Sequence, residues 1–243
     1  MISFNSKQHF IITGAASGIG EGIALLLNEY GAVVVCVDRN PKGLEAMKAK
    51  AKYPENVFLE QKDLTEDIDG LPAYVKALKE KYGRFSGMAY CAGISKLAPL
   101  KRLELEEANN LFNILFFAPL MMLKGITDRR NNIGNGTSCV IMSSIAKNIS
   151  PRGKTAFSSA CSAITTACQC TAKEFAPYGI RINSVSPSDI DTPMTASLPD
   201  EIRPQYALGI GKVSDVANFV LFLLSNNSRW ITGHDYIIDC ASI

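Results

Sequence analysis

The sequence predicts an α/β fold: one doubly wound domain over residues 1–243, with a parallel sheet of about seven strands flanked by helices. Three observations predict it. Short apolar, often β-branched runs recur along the chain (Phe10–Ile12, Val33–Val37, Val57–Leu59, Ser86–Tyr90, Val140–Met142, Ile180–Val185 and Tyr236–Ile238), each suited to a strand buried on both faces. Amphipathic stretches alternate with them, which implies right-handed crossovers covering both faces of the sheet. The first strand also runs directly into a glycine turn, Phe10–Gly20 (FIITGAASGIG), with a helical pattern following it. No repeat, linker or low-complexity tract divides the chain.

That turn carries the first chemistry. Gly14 permits a tight turn, Gly18 lets the backbone approach a pyrophosphate, and Gly20 lets the helix pack on the strand. The helix behind them (Ile23, Leu26 and Leu27 inward) offers unpaired N–H groups and a positive dipole end to phosphate. Asp38 closes the second strand about 20 residues past the glycines, where a dinucleotide site hydrogen-bonds an adenosine ribose. Its carboxylate repels a 2′-phosphate, so NAD is favoured over NADP. Arg39, the next residue, is placed to soften that preference.

Further along, Asn40-Pro41 opens a polar helix expected to run to about Lys52, an Asn cap followed by Pro in the first turn. Leu71–Tyr82 sets Val75 and Leu78 against Lys76, Lys79 and Glu80 and stops at Gly83. Leu103–Arg129 reads as one long helix distorted at Pro119. Asn131–Thr137 is a polar loop. Phe157–Phe175 is a helix whose small residues (Ala160, Ala163, Ala167) permit close packing, and Tyr178-Gly179 ends it. Met194–Gln205 is rich in turn formers and reads as a mobile substrate lid. Ser214–Leu224 reads as a helix with a Ser cap.

Composition excludes several classes. A hydrophobic content of 47%, a charged content of 20% and a net charge of +2 give no reason to expect nucleic acid or an anionic membrane as partner. Seven cysteines without metal-ligand spacing, and only His9 and His234, argue for reduced thiols and no metal site. The first strand begins within ten residues with no basic-then-apolar leader, so a cytoplasmic location is expected. The longest apolar run, Ile114–Leu123, contains a proline and falls short of the roughly 18 residues a membrane span needs.

The spacing Thr13-Gly14-x-x-x-Gly18-x-Gly20 resembles that of the short-chain dehydrogenase/reductase family, and the resemblance extends over nearly the whole chain. It implies a Rossmann domain with cofactor contacts at Gly14, Ser17, Gly18, Ile19 and Gly20. Asp38 would take the ribose, and Asp63 and Leu64 the adenine. Ala92 and Gly93, in Cys91-Ala92-Gly93, would lie against a ribose, although Cys91 stands where the family carries an Asn that stiffens the sheet. Pro187, Ile190 and Thr192 fall in the segment that contacts the nicotinamide, and Ser188 replaces its glycine. Asn113 and Ser144 match the catalytic Asn and Ser. Family members also pair through the helices corresponding to Leu103–Arg129 and Phe157–Phe175 into homodimers and homotetramers. Their small-molecule substrates range over sugars, acyl chains, steroids and alcohols.

The pattern breaks at its catalytic centre. Thirteen residues beyond Ser144 the family carries Tyr, and four further Lys; here these positions hold Phe157 and Cys161. In the family the Tyr hydroxyl exchanges the substrate proton during hydride transfer, while the Lys lowers its pKa and holds ribose hydroxyls. Phe157 has no proton to exchange, and Cys161 is too short and uncharged to replace the Lys. Four readings stay open: an active oxidoreductase drawing a proton from water, Cys161, Lys147, Lys154 or Ser158; a non-catalytic NAD-binding or structural subunit; an engineered knockout; and a reactive or metal-ligating Cys161. The scattered departures at 91, 157, 161, 188 and 240–241 fit the second best.

Overall fold

The computed structural model describes residues 2–196 and 206–242. Seven strands form one parallel sheet: β1 (His9–Thr13), β2 (Val33–Asp38), β3 (Val57–Gln61), β4 (Gly87–Tyr90), β5 (Ser138–Met142), β6 (Arg181–Pro187) and β7 (Asp235–Ile238). Their order is β3-β2-β1-β4-β5-β6-β7, so the sequence reverses direction between β1 and β4. Ligand crevices of open α/β sheets form at such a reversal, outside the C-terminal strand ends.

Both faces are covered, which is why the strands read as unbroken apolar runs. Phe10, Ile12, Val34 and Cys36 face α1 (Gly18–Glu29), α2 (Pro41–Lys48) and α8 (Val213–Leu224), which contribute Ile23, Leu27, Leu44, Met47 and Val220. Ile11, Val35, Met88 and Ile141 face α3 (Leu71–Tyr82), α5 (Ala118–Thr127) and α7 (Thr155–Phe175). The Asn40 side chain caps α2, accepting from the Gly43 N–H (3.1 Å). That helix ends at Lys48 and not near Lys52, because the Lys50 and Ala51 amides turn to carbonyls three residues back.

Two further helix expectations are corrected. The long helix is broken: α4 (Leu105–Phe112) passes through a π turn, Asn113–Phe117, before α5 begins. Pro119 has no N–H for the Leu115 carbonyl, and the chain widens in the turn before it, with the Ala118 N–H donating to the Asn113 carbonyl. The distortion therefore precedes the proline. By length and mean hydropathy (23 residues, 1.4) Leu105–Thr127 could cross a bilayer, contrary to the expectation from its shorter apolar run, but Ala118, Met122, Leu123 and Ile126 are buried in the core. The second correction concerns α8, which starts at Val213. The Asp215 carboxylate accepts from the Lys212 N–H (2.7 Å), so the cap sits at Lys212 and Ser214 lies inside the first turn. Of the lid stretch Met194–Gln205, residues 197–205 lie outside the described residues.

A buried cation fixes the end of α8 to the sheet. Arg181 on β6 is 6% exposed and donates to the carbonyls of Leu223 (2.8 Å) and Ser225 (3.0 Å) and to Ser228 Oγ (2.8 Å). Truncation removes three buried charge-assisted hydrogen bonds and leaves the Leu223 carbonyl to the Ser138 and Ser228 hydroxyls and the Ser225 carbonyl to Ser228. Arg181→Met is expected to lower stability by about 2–4 kcal/mol and Tm by on the order of 5–15 °C, measured calorimetrically. A loss under about 1 kcal/mol would contradict that role.

Candidate functional site

The turn after β1 is built on two close approaches. A Cβ at Gly14 (φ +67°) would lie 2.8 Å from the Ala92 nitrogen, and one at Gly20 would lie 2.2 Å from the Gly14 carbonyl oxygen. No side chain fits at either position, so α1 starts directly against β1 and β4. Thr13 Oγ1 joins the two strands by accepting from the Cys91 and Ala92 amides (3.1 and 3.2 Å). The Thr13 hydroxyl thus supplies a cross-strand tie where the Cys91 side chain cannot. Ser17 precedes α1 with extended backbone and no side-chain capping bond, which leaves the first-turn N–H groups directed out of the helix end.

These groups line a cavity of about 530 Å³ at the C-terminal edge of the sheet. Gly14, Ser17, Gly18, Ile19 and Gly20 form its floor, and Asp38, Asp63, Leu64, Ala92 and Gly93 its sides. Thr192 stands across from the turn, its methyl 3.3 Å from where a Gly18 Cβ would be. Asp38 is held by backbone amides: Oδ2 accepts from Ala16 (3.1 Å) and Oδ1 from Asn40 (2.9 Å), leaving lone pairs on both oxygens. The Thr65 hydroxyl, 2.7 Å from Asp63 Oδ1, holds that carboxyl below the usual range against partial burial; the Thr65 amide and the charges of Arg39 and Lys62 add to this. Arg39, noted in the sequence beside Asp38, lines the cavity; sequence reasoning missed Lys62 and Thr65, although each lies within two residues of Asp63. The arrangement suits an adenosine diphosphate: helix-end amides for the phosphates and a carboxylate for vicinal hydroxyls.

The expected catalytic residues, and two of the expected cofactor contacts, do not line this cavity. Ser144, Asn113, Phe157, Cys161, Pro187 and Ile190 are not among the residues lining this cavity. Ser144 Oγ accepts from the Ala146 N–H (3.2 Å), the first amide of the short helix α6 (Ala146–Ile149). Asn113 sits in the π turn, and the cavity wall is formed instead by Asn110 and Ile114. Pro187 ends β6 inside the sheet, and Ile190 is buried in the core beside its bridge to Gly211.

Phe157 and Cys161 are packed away from water. They are 8% and 2% exposed and cluster with Leu111, Ala146 and Ala156. Leu115 packs on this cluster and also reaches Gly93, its Cδ2 lying 3.1 Å from the place of a Gly93 Cβ. Burial pushes the Cys161 thiol up to about 11, although the Ser143 hydrogen bond and the charges of Lys147 and Lys154 oppose it. Lys147 is committed elsewhere: its Nζ donates to Asp235 (2.8 Å), Ser186 Oγ (2.8 Å) and Asn148 Oδ1 (2.9 Å), in an ion pair whose side chains are 10% and 11% exposed. Lys154 Nζ lies 5.0 Å from the Phe157 ring centroid. No group of three or more metal-ligating side chains occurs among the described residues.

Comparison with known proteins places this architecture. The model of the enoyl-(acyl carrier protein) reductase family matches residues 14–240. A 3-oxoacyl-[acyl-carrier-protein] reductase of Thermotoga maritima is 32% identical over 239 residues, covering 94% of this chain and 95% of that protein. A vibriobactin-specific 2,3-dihydro-2,3-dihydroxybenzoate dehydrogenase of Vibrio cholerae is 31% identical over 252 residues, covering 97% and 95%. Among solved structures, a short-chain dehydrogenase/reductase (glucose/ribitol dehydrogenase) from Brucella melitensis superposes with a TM-score of 0.92 at 25% identity, over 100% of this chain and 99% of that one. The chain belongs to the short-chain dehydrogenase/reductase family of NAD(P)-binding oxidoreductases.

A thiol with a raised pKa stays protonated through neutrality and forms thiolate only as the pH approaches that pKa. Iodoacetamide at pH 8 should label the exposed Cys170 and leave Cys161 unmodified until denaturation, read by peptide mass spectrometry. Equal labelling of both would contradict the burial described.

Proposed function

We propose that this chain is an NAD-binding member of the family in which ordinary carbonyl–alcohol turnover is lost or strongly impaired. The observation that carries the reading is the apolar packing of Phe157 and Cys161, at the positions where the family resemblance puts the proton-exchanging Tyr and its Lys. Bound NAD would supply hydride transfer. Gly14, Ser17–Gly20, Asp38, Asp63, Leu64, Ala92 and Gly93 would hold it, with NAD preferred over NADP because Asp38 faces the adenosine ribose. Two of the alternative proton sources are poorly placed. Lys147 has all three N–H groups engaged. Cys161 is neutral near pH 7. Ser144, with its oxygen engaged by the Ala146 amide, keeps a hydroxyl to orient a carbonyl but not to protonate it.

A non-catalytic role, as an NAD-binding or structural subunit, follows from the same loss. The free thiols fit a reducing, cytoplasmic setting. We also place the chain in a homodimer or homotetramer paired through Leu105–Thr127 and α7, in keeping with the exposed Leu105 (76%) and Phe117 (43%); sedimentation at micromolar concentration should show more than monomer, and monomer alone would refute the pairing.

Restoring the pair tests the main reading. With NADH and a panel of β-ketoacyl esters, ketones and aldehydes, Phe157→Tyr with Cys161→Lys is expected to raise turnover at least ~10²-fold over the unmodified protein. Equal rates for the two proteins would refute it.

A further inference from the structure

The lining of the cavity fits one half of a dinucleotide and not the other. At the adenosine end, the glycine turn brings backbone amides to the floor and Asp38 keeps lone pairs free on both oxygens. Two cations, Arg39 and Lys62, stand at the same end. Every feature there suits a phosphate, a pair of ribose hydroxyls or a purine.

At the other end the described lining is mostly apolar (Ile114, Pro193 and Met194), with Asn110 and Thr192 as its polar side chains. The Thr192 hydroxyl lies 3.3 Å from Thr195 Oγ1, and the Thr192 amide donates to that same oxygen (3.1 Å), closing a local turn. Leu115 fills the space between Gly93 and the Phe157 cluster, so an apolar wall separates the cavity from β5 and α7. The one buried ammonium nearby, Lys147, is neutralised by Asp235, whose other oxygen accepts from Ser184 (2.6 Å) and Ser186 (2.8 Å). A second ribose and a carboxamide ring would meet chiefly Ile114, Pro193 and Met194 there, with too few polar partners to replace their hydrogen bonds to water, which offsets the gain from burial.

We infer that the chain recognises the adenosine diphosphate moiety alone, and that whatever lies beyond the diphosphate adds no affinity. The ligand class is therefore adenosine-diphosphate nucleotides, with ADP-ribose and ADP as competent as the dinucleotide. The inference rests on the nucleotide-binding reading above and narrows it.

Isothermal titration of the unmodified protein separates the two. NADH and ADP-ribose carry the same charge, so they form the matched pair, with NAD, ADP and nicotinamide mononucleotide as further arms. The expected result is dissociation constants for NADH and ADP-ribose within about threefold and no binding of nicotinamide mononucleotide. A larger preference for NADH, or measurable binding of the mononucleotide, overturns this inference and leaves the dinucleotide reading intact. Failure of NADH, NAD, ADP-ribose and ADP alike overturns both. As a second readout, Asp38→Asn should weaken NADH and ADP-ribose by the same factor; a loss confined to one of them also overturns the inference.

Discussion

The structure depends on two places where no Cβ can exist. With side chains at Gly14 or Gly20, the first helix could not start where it does: the nearest backbone atoms lie 2.8 and 2.2 Å from the required Cβ positions. Their absence lets α1 begin against the ends of β1 and β4, and the Thr13 hydroxyl then fastens those strands together. Because the strand order reverses at the same point, the helix end opens into the crevice instead of being covered by a neighbouring crossover. The cavity is thus a product of backbone geometry first and of side chains second.

From that origin the C-terminal edge of the sheet divides into two regimes. Around β1, β2 and β3 the exposed groups are amides and carboxylates with lone pairs or protons to offer. Around β5 and α7 they are Leu111, Leu115, Phe157 and Cys161, a small core in its own right. Beneath that core lies a satisfied ionic network, Lys147–Asp235 with Ser184 and Ser186. A buried pair of this kind is held in place by the penalty for separating it. It anchors α6 to β6 and β7 and has no proton or charge left over for chemistry.

How much of this is legible in sequence follows from how local the signal is. The fold was: strands buried on both faces read as continuous apolar runs, and the glycine spacing and Asp38 lie within forty residues. Arg39 was read beside Asp38, and Lys62 and Thr65 were within reach, being neighbours of a carboxylate already singled out. The π turn was half visible, since Pro119 announces a defect but not the turn that absorbs it. The Lys147–Asp235 pair spans 88 residues of sequence and leaves no local pattern. Nor does the position of Pro187 and Ile190, which pairing with β7 and a bridge to Gly211 draw into sheet and core. The residues at 157 and 161 can be read directly; that they are sealed by Leu111 and Leu115 depends on α4 crossing over α7, which no single stretch encodes.

The most direct test of this division is saturation-transfer difference NMR with NAD and the unmodified protein. The account predicts strong transfer to the adenine H2 and H8 and the adenosine ribose H1′, and weak transfer to the nicotinamide H2 and H4. Transfer of equal strength to both rings would contradict it, and would mean that the apolar wall at Leu115 and Phe157 admits the second ring.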